Sequence, residues 1–346
     1  MRDTQPIGKR DEMKQSMCIV GCGGYARIVL DDIYDMTDEF DFYFASRDID
    51  KARQYSEDYG GAGYFGDYEE AAADPRVQSM YFFTPHDMHL DNVNLAARHG
   101  KHVLMEKPIA RTVAEASAMV ESARDGGIKL MIAENYRFLN TVDRAMEIMN
   151  AEGAENPIGD LRLIEMVVEG FSSPGEWRAN LDRNGGGVFI DGGIHFVDIV
   201  VNVGGFPELV HAIQPPQLYP NVEGEDGILV TAALPGGAAC VINFSRAIPV
   251  QSLRQVVKFT GSKGRISFDP RASELTIDTP DGQSTVEVQA VRRGVRGMVS
   301  EFRRSIEENR EPVMSGYEGT KDLAVVLAAY ESMRTGESVR LSLPER

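Results

Sequence analysis

Three groups suited to acid–base work stand far apart in the sequence: an ammonium, a carboxylate and an imidazole. Lys107 sits in Glu106-Lys107-Pro108, directly after a β-rich run at 102–105. It is therefore expected at the carboxyl end of a parallel sheet, where ligands bind in folds of that kind. Asp191 and His195 lie in Gly185-Gly186-Gly187-Val188-Phe189-Ile190-Asp191-Gly192-Gly193-Ile194-His195-Phe196-Val197-Asp198. If this stretch opens a helix running from about Gly192 to Val203, Asp191 and His195 are neighbours at i and i+4 on one face. Asp198 and Asn202 extend the polar stripe, while Ile194, Val197, Val200 and Val201 point elsewhere. Taken singly, each residue also has a plain structural explanation: Lys107 an exposed loop lysine, Asp191 a helix N-cap, His195 a satisfied surface histidine.

A second chemistry-bearing pattern lies near the amino terminus. Cys18-Ile19-Val20-Gly21-Cys22-Gly23-Gly24-Tyr25-Ala26 places G-x-G-x-x-A between a strand and a helix. There small residues let the backbone approach a pyrophosphate, and the helix start faces its charge. The second strand ends in Phe44-Ala45-Ser46-Arg47-Asp48. Ser46 can donate to a ribose 2′-phosphate and Arg47 can lie against that phosphate or the adenine, whereas an acid at the strand tip would repel it. The expected coenzyme is NADP, with NAD the alternative in which Asp48 binds the free ribose and Arg47 stays in solvent. Asp48 also reads as the cap of the helix that follows.

These groups need a scaffold. The strand candidates 17–20, 42–45, 77–83, 102–105 and 129–132 alternate with helical patterns at 26–34, 49–59, 87–99 and 113–124, the form of a doubly wound parallel sheet. After Tyr136 and Arg137 the texture changes. A helix-like stretch runs to about Ala151, an alternating strand covers 161–168, and after the Gly-rich helix the runs 228–234, 238–244, 253–260, 265–268, 275–277 and 285–289 read as a largely antiparallel sheet. Helices at 297–308 and 317–334 close the chain. The expected organisation is a polar arm at 1–16, expected to be disordered; a Rossmann NAD(P)-binding domain at 17–137; and an α+β substrate and oligomerisation domain at 138–346, whose last helices pack back toward the first domain. The fold class is thus α/β plus α+β, with a large, mostly antiparallel open sheet in the second half. One face of such a sheet is left for a second copy, so a homodimer or homotetramer is expected.

The 346 residues carry 36 basic and 53 acidic side chains, a net charge of −17 that disfavours nucleic acid and anionic membranes as partners. Three cysteines make no disulfide framework, and neither Cys18-x3-Cys22 nor His86-x2-His89 has further ligands to complete a metal site, so no metal is expected. With no signal peptide and no run of 18 apolar residues, a cytoplasmic location is expected.

The Gly-rich turn, Thr84-Pro85-His86-Asp87-Met88-His89, Gly100-Lys101-His102-Val103-Leu104-Met105-Glu106-Lys107-Pro108, Glu134-Asn135-Tyr136-Arg137-Phe138, Trp177-Arg178 and Asp191-x3-His195 occur together and in order. On these segments the chain resembles the glucose-fructose oxidoreductase/inositol dehydrogenase/rhizopine-catabolism (Gfo/Idh/MocA) family over essentially all of residues 17 to 342. The resemblance implies hydride transfer between C4 of a nicotinamide and a carbinol or carbonyl carbon of a sugar, inositol or related compound, with Lys107, Asp191 and His195 at the catalytic positions. A secondary alcohol gives up hydride readily only as its proton leaves, which calls for a base of near-neutral pKa and a positive charge for the developing alkoxide. His195 suits the proton transfer, Lys107 supplies charge and a hydrogen bond, and Asp191 can orient both; which of Lys107 and His195 takes the proton is open at this level. The resemblance further puts Thr84, Pro85 and His89 beside the coenzyme with Glu106 near the nicotinamide, makes Tyr136, Trp177 and Arg178 candidate substrate contacts, and suggests a cis Pro108. His86 stands where relatives often have Asn. A redox-neutral glycoside-cleaving or epimerising enzyme and a nucleotide-sensing regulator are the alternatives on the same scaffold.

Overall fold

The computed structural model describes residues 14–151 and 156–345, which divide into two compact units meeting in sequence at Phe83/Thr84. The expected polar arm lies outside the described residues up to position 13. The first strand already begins at Gln15, earlier than its apolar run, because Gln15 pairs with Phe40 and is itself buried.

The first unit alternates β1 (Gln15–Val20), α1 (Gly24–Ile33), β2 (Phe40–Ala45), α2 (Ile49–Asp58), β3 (Gly63–Phe65), α3 (Tyr68–Ala73) and β4 (Ser79–Phe82). Parallel pairing gives the order β3-β2-β1-β4. The central strands are buried almost residue for residue, which is why they read as continuous apolar runs. Asp48 and Asp67 start α2 and α3, each side chain accepting from two backbone amides of the first turn.

In the second unit α4 (His89–Arg98), β5 (His102–Met105), α5 (Val113–Asp125) and β6 (Leu130–Ile132) come first, with β5 and β6 parallel. Then follow α6 (Asn140–Asn150), β7 (Leu161–Glu169), α7 (Leu181–Asn184), α8 (Ile194–Gly204), β8 (Leu209–Ile213), β9 (Gly227–Ala233), β10 (Ala239–Ser245), β11 (Arg254–Gly261), β12 (Arg265–Phe268), β13 (Glu274–Thr279), β14 (Gly282–Glu287), α9 (Val295–Glu307), α10 (Gly316–Thr335) and β15 (Val339–Arg340). The nine strands β14-β13-β12-β11-β7-β10-β9-β8-β15 form one open sheet. Every neighbouring pair is antiparallel except β7 with β10.

Alternation along these strands points Ile164, Met166 and Val168, and likewise Cys240, Ile242 and Phe244, into the core. Phe196 of α8 and Phe189 just before it meet Phe244 there. The opposite face carries Leu163, Val167, Val241 and Val256 half-buried among Glu165, Asn243 and Lys258. The last long helix, α10, lies against β6: Gly319 gives room to Ile132, and Gly316 to Leu130.

The helix expected from Gly192 differs at its start. A π-helical turn, Phe189–Gly193, precedes α8, so Asp191 lies in the turn and His195 in the first residues of the regular helix. The helical stretch Leu181–Gly204 is long and apolar enough to cross a membrane, but its apolar window is 72% buried inside the protein, as befits a core helix.

Candidate active site

In the first unit the Gly-rich turn is shaped by its backbone. Gly21 has φ +98°, and a Cβ there would stand 3.2 Å from the Phe83 carbonyl group, so only glycine fits. Side chains added at Gly23 and Gly24 would meet nothing within 4 Å. Helix α1 starts at this open ground with no side-chain cap and no acid in its first turn. Tyr25 packs against Phe83, Ala26 is buried, and the Tyr55 hydroxyl donates to the Gly23 carbonyl at 3.0 Å, bracing the turn. Such an uncapped helix start facing open space fits a dinucleotide pyrophosphate. At the end of β2, Ser46 accepts from the Asp48 amide at 3.2 Å, while Asp48 spends its carboxylate on the amides of Asp50 and Lys51. Arg47 is exposed beside Tyr68.

In the second unit β5 delivers Glu106, which is buried, and Lys107, whose peptide bond to Pro108 is cis. His89 braces this corner. It is wholly buried, with Nδ1 3.1 Å from the carbonyls of Pro108 and Ile109 and Nε2 3.2 Å from that of Thr84. The Thr84 hydroxyl is itself held by Asn92 at 2.7 Å. His89 thus has both nitrogens occupied by backbone and secures the Thr84-Pro85 loop to the lysine-bearing turn. His86 is also buried; its Nδ1 donates to the Asn184 carbonyl at 2.8 Å, and its ring packs edge-on against Trp177 at 4.6 Å.

Asp191 and His195 belong to two different couples. The Lys107 ammonium reaches the Asp191 main-chain oxygen and, at 3.3 Å, its Oδ1, while Arg178 Nε lies 3.3 Å from Oδ2. Burial pushes the Asp191 carboxyl up, but Lys107 above all, then Arg178 and His86, pull it well below the usual carboxylate range. His195 instead turns Nδ1 to Glu134 Oε1 at 2.6 Å. The Glu134 side chain also accepts from the Tyr136 amide at 3.1 Å, and the Tyr136 ring stacks on His195 with centroids 4.3 Å apart and planes within 10°. Burial lowers the His195 pKa more than Glu134 raises it; burial also raises Glu134, but His195 first, then the Tyr136 amide and Lys107, bring it below its ordinary value. The resting pair is therefore a carboxylate and a neutral imidazole. Its Nδ1–H donates to Glu134, which leaves Nε2 as the acceptor.

Sequence reasoning gave Asp191 the task of orienting both partners; the structure gives it Lys107 and hands His195 to Glu134. Glu134 stands in the same sequence segment as Tyr136. Its signal was positional: like Glu106 it is an acid just past the carboxyl end of a parallel strand. Tyr136 is buried, with its hydroxyl bonded to Gln255 at 2.9 Å, so it serves His195 through its ring. Trp177 lies under the Arg178 guanidinium at 4.3 Å, beside His86. Asp198, expected on a polar stripe, is buried and clasped by Arg137 at 2.7 and 3.0 Å, because a carboxylate inside the core needs a full counter-charge.

Residues 16–134 match the family model described as oxidoreductase family, NAD-binding Rossmann fold, and residues 154–341 match its C-terminal alpha/beta domain. The chain belongs to the Gfo/Idh/MocA oxidoreductase family. Among its relatives is the D-xylose 1-dehydrogenase (NADP(+)) 2 of Haloferax volcanii, 29% identical across 86% of this chain and 90% of that protein. The 1,5-anhydro-D-fructose reductase of Ensifer adhaerens is 25% identical across 86% and 89%. Among solved structures, the aldose-aldose oxidoreductase from Caulobacter crescentus, complexed with glycerol, superposes with a TM-score of 0.85 at 26% identity, covering 95% of this chain and all of the other. Within a Gfo/Idh/MocA protein, the couples Lys107–Asp191 and His195–Glu134 are the groups that geometry brings to one place.

Proposed function

We propose that this Gfo/Idh/MocA oxidoreductase moves a hydride between a nicotinamide and a carbinol or carbonyl carbon of a sugar, inositol or related polyhydroxylated compound, with Lys107, Asp191 and His195 as its catalytic residues. The observation that carries the reading is the His195–Glu134 couple, which leaves a neutral imidazole with a bare Nε2, in the same site as an ammonium held by Asp191. Bound NAD(P) supplies the carbon that accepts or returns the hydride. His195 Nε2 takes the proton of the alcohol, and Glu134 stabilises the imidazolium that forms. The Lys107 ammonium donates to the oxygen that gains negative charge, and Asp191 fixes that ammonium in place. Trp177 and Arg178 border the site as a platform and a donor for a hydroxylated ring, with Tyr136 backing His195.

In the first unit Gly21, Gly23, Gly24, Tyr25, Ala26, Ser46 and Arg47 are assigned to the dinucleotide; in the second, Thr84, Pro85, His89, Glu106 and Lys107 line or brace the nicotinamide end. NADP is the preferred coenzyme, since Asp48 is spent as a helix cap and Ser46 and Arg47 stand at the strand tip. The functional division is a nucleotide domain to Arg137 and a substrate domain beyond it. The half-apolar outer face of the nine-stranded sheet is assigned to a homodimer or homotetramer, and the protein to the cytoplasm.

The test is a panel of sugars, inositols, sugar acids and their keto forms with NADP and NAD in parallel. Reduction of the coenzyme by a member of the panel is the expected result; product formed with no net absorbance change would replace it with a redox-neutral reaction. Arg47→Ala is expected to weaken NADP about tenfold more than NAD, the loss of one charged contact to a phosphate. Equal losses would remove the preference.

A further inference from the structure

The site carries more positive charge than its carboxylates neutralise. Arg246 follows β10 and is half-buried, its guanidinium between two glycines. A Cβ on Gly170 would lie 3.1 Å from one terminal nitrogen, and one on Gly192, next to Asp191, 3.7 Å from the other. The group sits 5.7 Å from the Phe244 ring centroid, and among the described residues it makes no ion pair and its side chain donates no hydrogen bond. Burial first, and then Arg271, lowers its pKa, while Tyr136 and Asp191 act the other way. The acids nearby are committed: Asp191 to Lys107 and Arg178, Glu134 to His195, Glu169 to Arg254 at 3.2 Å. Arg271, exposed on the turn before β13, hangs 5.5 Å from the Tyr136 ring centroid, on whose other neighbour, His195, it acts electrostatically.

Four cations, Lys107, Arg178, Arg246 and Arg271, thus gather around Asp191 and Glu134, in a chain whose net charge is −17. A partly desolvated guanidinium that donates to no protein acceptor is free to take a ligand's oxygens through its fork, and a local excess of positive charge concentrates anions against the general field of the molecule. We propose that the substrate carries an oxyanion, a carboxylate or a phosphate on the sugar, and that Arg246 binds it through the fork of its guanidinium with Arg271 adding a second positive charge. This rests on the sugar-oxidoreductase reading of the same site. Selection then comes from the charged end of the substrate, and hydride transfer occurs at a hydroxyl-bearing carbon toward Lys107 and His195. The proposal adds no bond-making step to that transfer.

Gluconate and glucuronate, glucose 6-phosphate, and uncharged glucose and xylose serve as probes, with saturating coenzyme, against the parent protein, Arg246→Gln and Arg246→Lys. One oxyanion class is expected to exceed the uncharged sugars in kcat/KM by about thirtyfold, the range of a hydrogen-bonded charge pair. Arg246→Gln should remove that preference chiefly through KM, Arg246→Lys should restore part of it, and rising salt should erode it. Whether the carboxylates or the phosphate respond tells the two oxyanions apart. Binding is read independently from the emission of Trp177, the single tryptophan, which packs on Arg178 and His86. An oxyanion that shifts Trp177 emission in the parent and not in Arg246→Gln upholds the proposal even where no coenzyme is reduced, a result that would fell the oxidoreductase reading alone. Equal kcat/KM for charged and uncharged sugars, an equal loss for both in Arg246→Gln, or no Trp177 response and no turnover with either oxyanion would overturn it.

Discussion

Two carboxylates serve the same π-helical turn, and their surroundings push them in opposite directions. Asp191 belongs to the turn and meets full positive charges 3.3 Å away on Lys107 and Arg178, which outweigh its burial and hold it ionised. Glu225 is 4% exposed and binds the turn's backbone: it accepts from the Phe189 amide at 2.7 Å and the Tyr330 hydroxyl at 3.0 Å, and Tyr330 in turn accepts from the Ile190 amide at 2.9 Å. Burial pushes Glu225 up to about 7, with those dipoles offsetting only part of the cost. At this turn two ions outweigh the burial of Asp191, while dipoles do not outweigh that of Glu225. The reactive side of the turn is therefore built on charge pairs and its support on hydrogen bonds.

The comparison breaks most visibly at Lys107. Lys107→Met keeps most of the side-chain volume and removes the charge both from the developing alkoxide and from Asp191. A fall in kcat of roughly 10²–10³ is expected, the size seen when one donor to a developing oxyanion is lost, and the Asp191 carboxyl should rise toward its ordinary range. Steady-state kinetics with the best substrate of the panel gives the first number. A kcat within a few-fold of the parent would mean that the pair is structural.

The next effect is at Glu134. Its carboxylate favours the charged form of His195, so Glu134→Gln should move the acid limb of the kcat profile to lower pH while lowering the plateau about a hundredfold, within the range of a general base that has lost its support. The amide oxygen of Gln can still accept from Nδ1, so the tautomer survives. An unchanged profile would point to Lys107 as the group that takes the proton.

Much of this was legible because it was local. β5 has the bounds its apolar run predicts, and the Gly21 turn could be recognised because backbone and absent side chains do its work. Gly127, with φ +64°, follows α5 in the left-handed conformation that glycine takes easily, while Gly126 stays right-handed. β3, with three residues, and β15, with two, were missed because too few side chains alternate to leave a pattern; β8, with five, was missed as well. The π turn was hidden because 3.6-residue periodicity cannot register an inserted residue. Arg246 and Glu225 were unreadable for a different reason. Each reaches the site through the pairing of distant segments, such as the parallel β7–β10 register that sets Arg246 near Gly170.

The smallest effect tests the supporting side of the comparison. The Glu225 carboxyl titrates at about 7 in the folded protein against 4.5 when unperturbed. A group raised on folding contributes its full stability below the unfolded pKa and loses it as pH rises through the folded one, so parent stability should lose roughly 3 kcal/mol from this group between pH 4.5 and about 8. Gln has no such titration, so the stability of Glu225→Gln relative to the parent should climb across that interval. Urea unfolding of both proteins at pH 5 and pH 8 reads the difference directly. Turnover should change by less than about fivefold, because the amide oxygen still accepts from Phe189 and Tyr330 and the turn keeps its shape. A stability gap equal at both pH values would mean that Glu225 is ionised as readily as Asp191, and the contrast between charge-paired and dipole-paired carboxylates would fail at this turn.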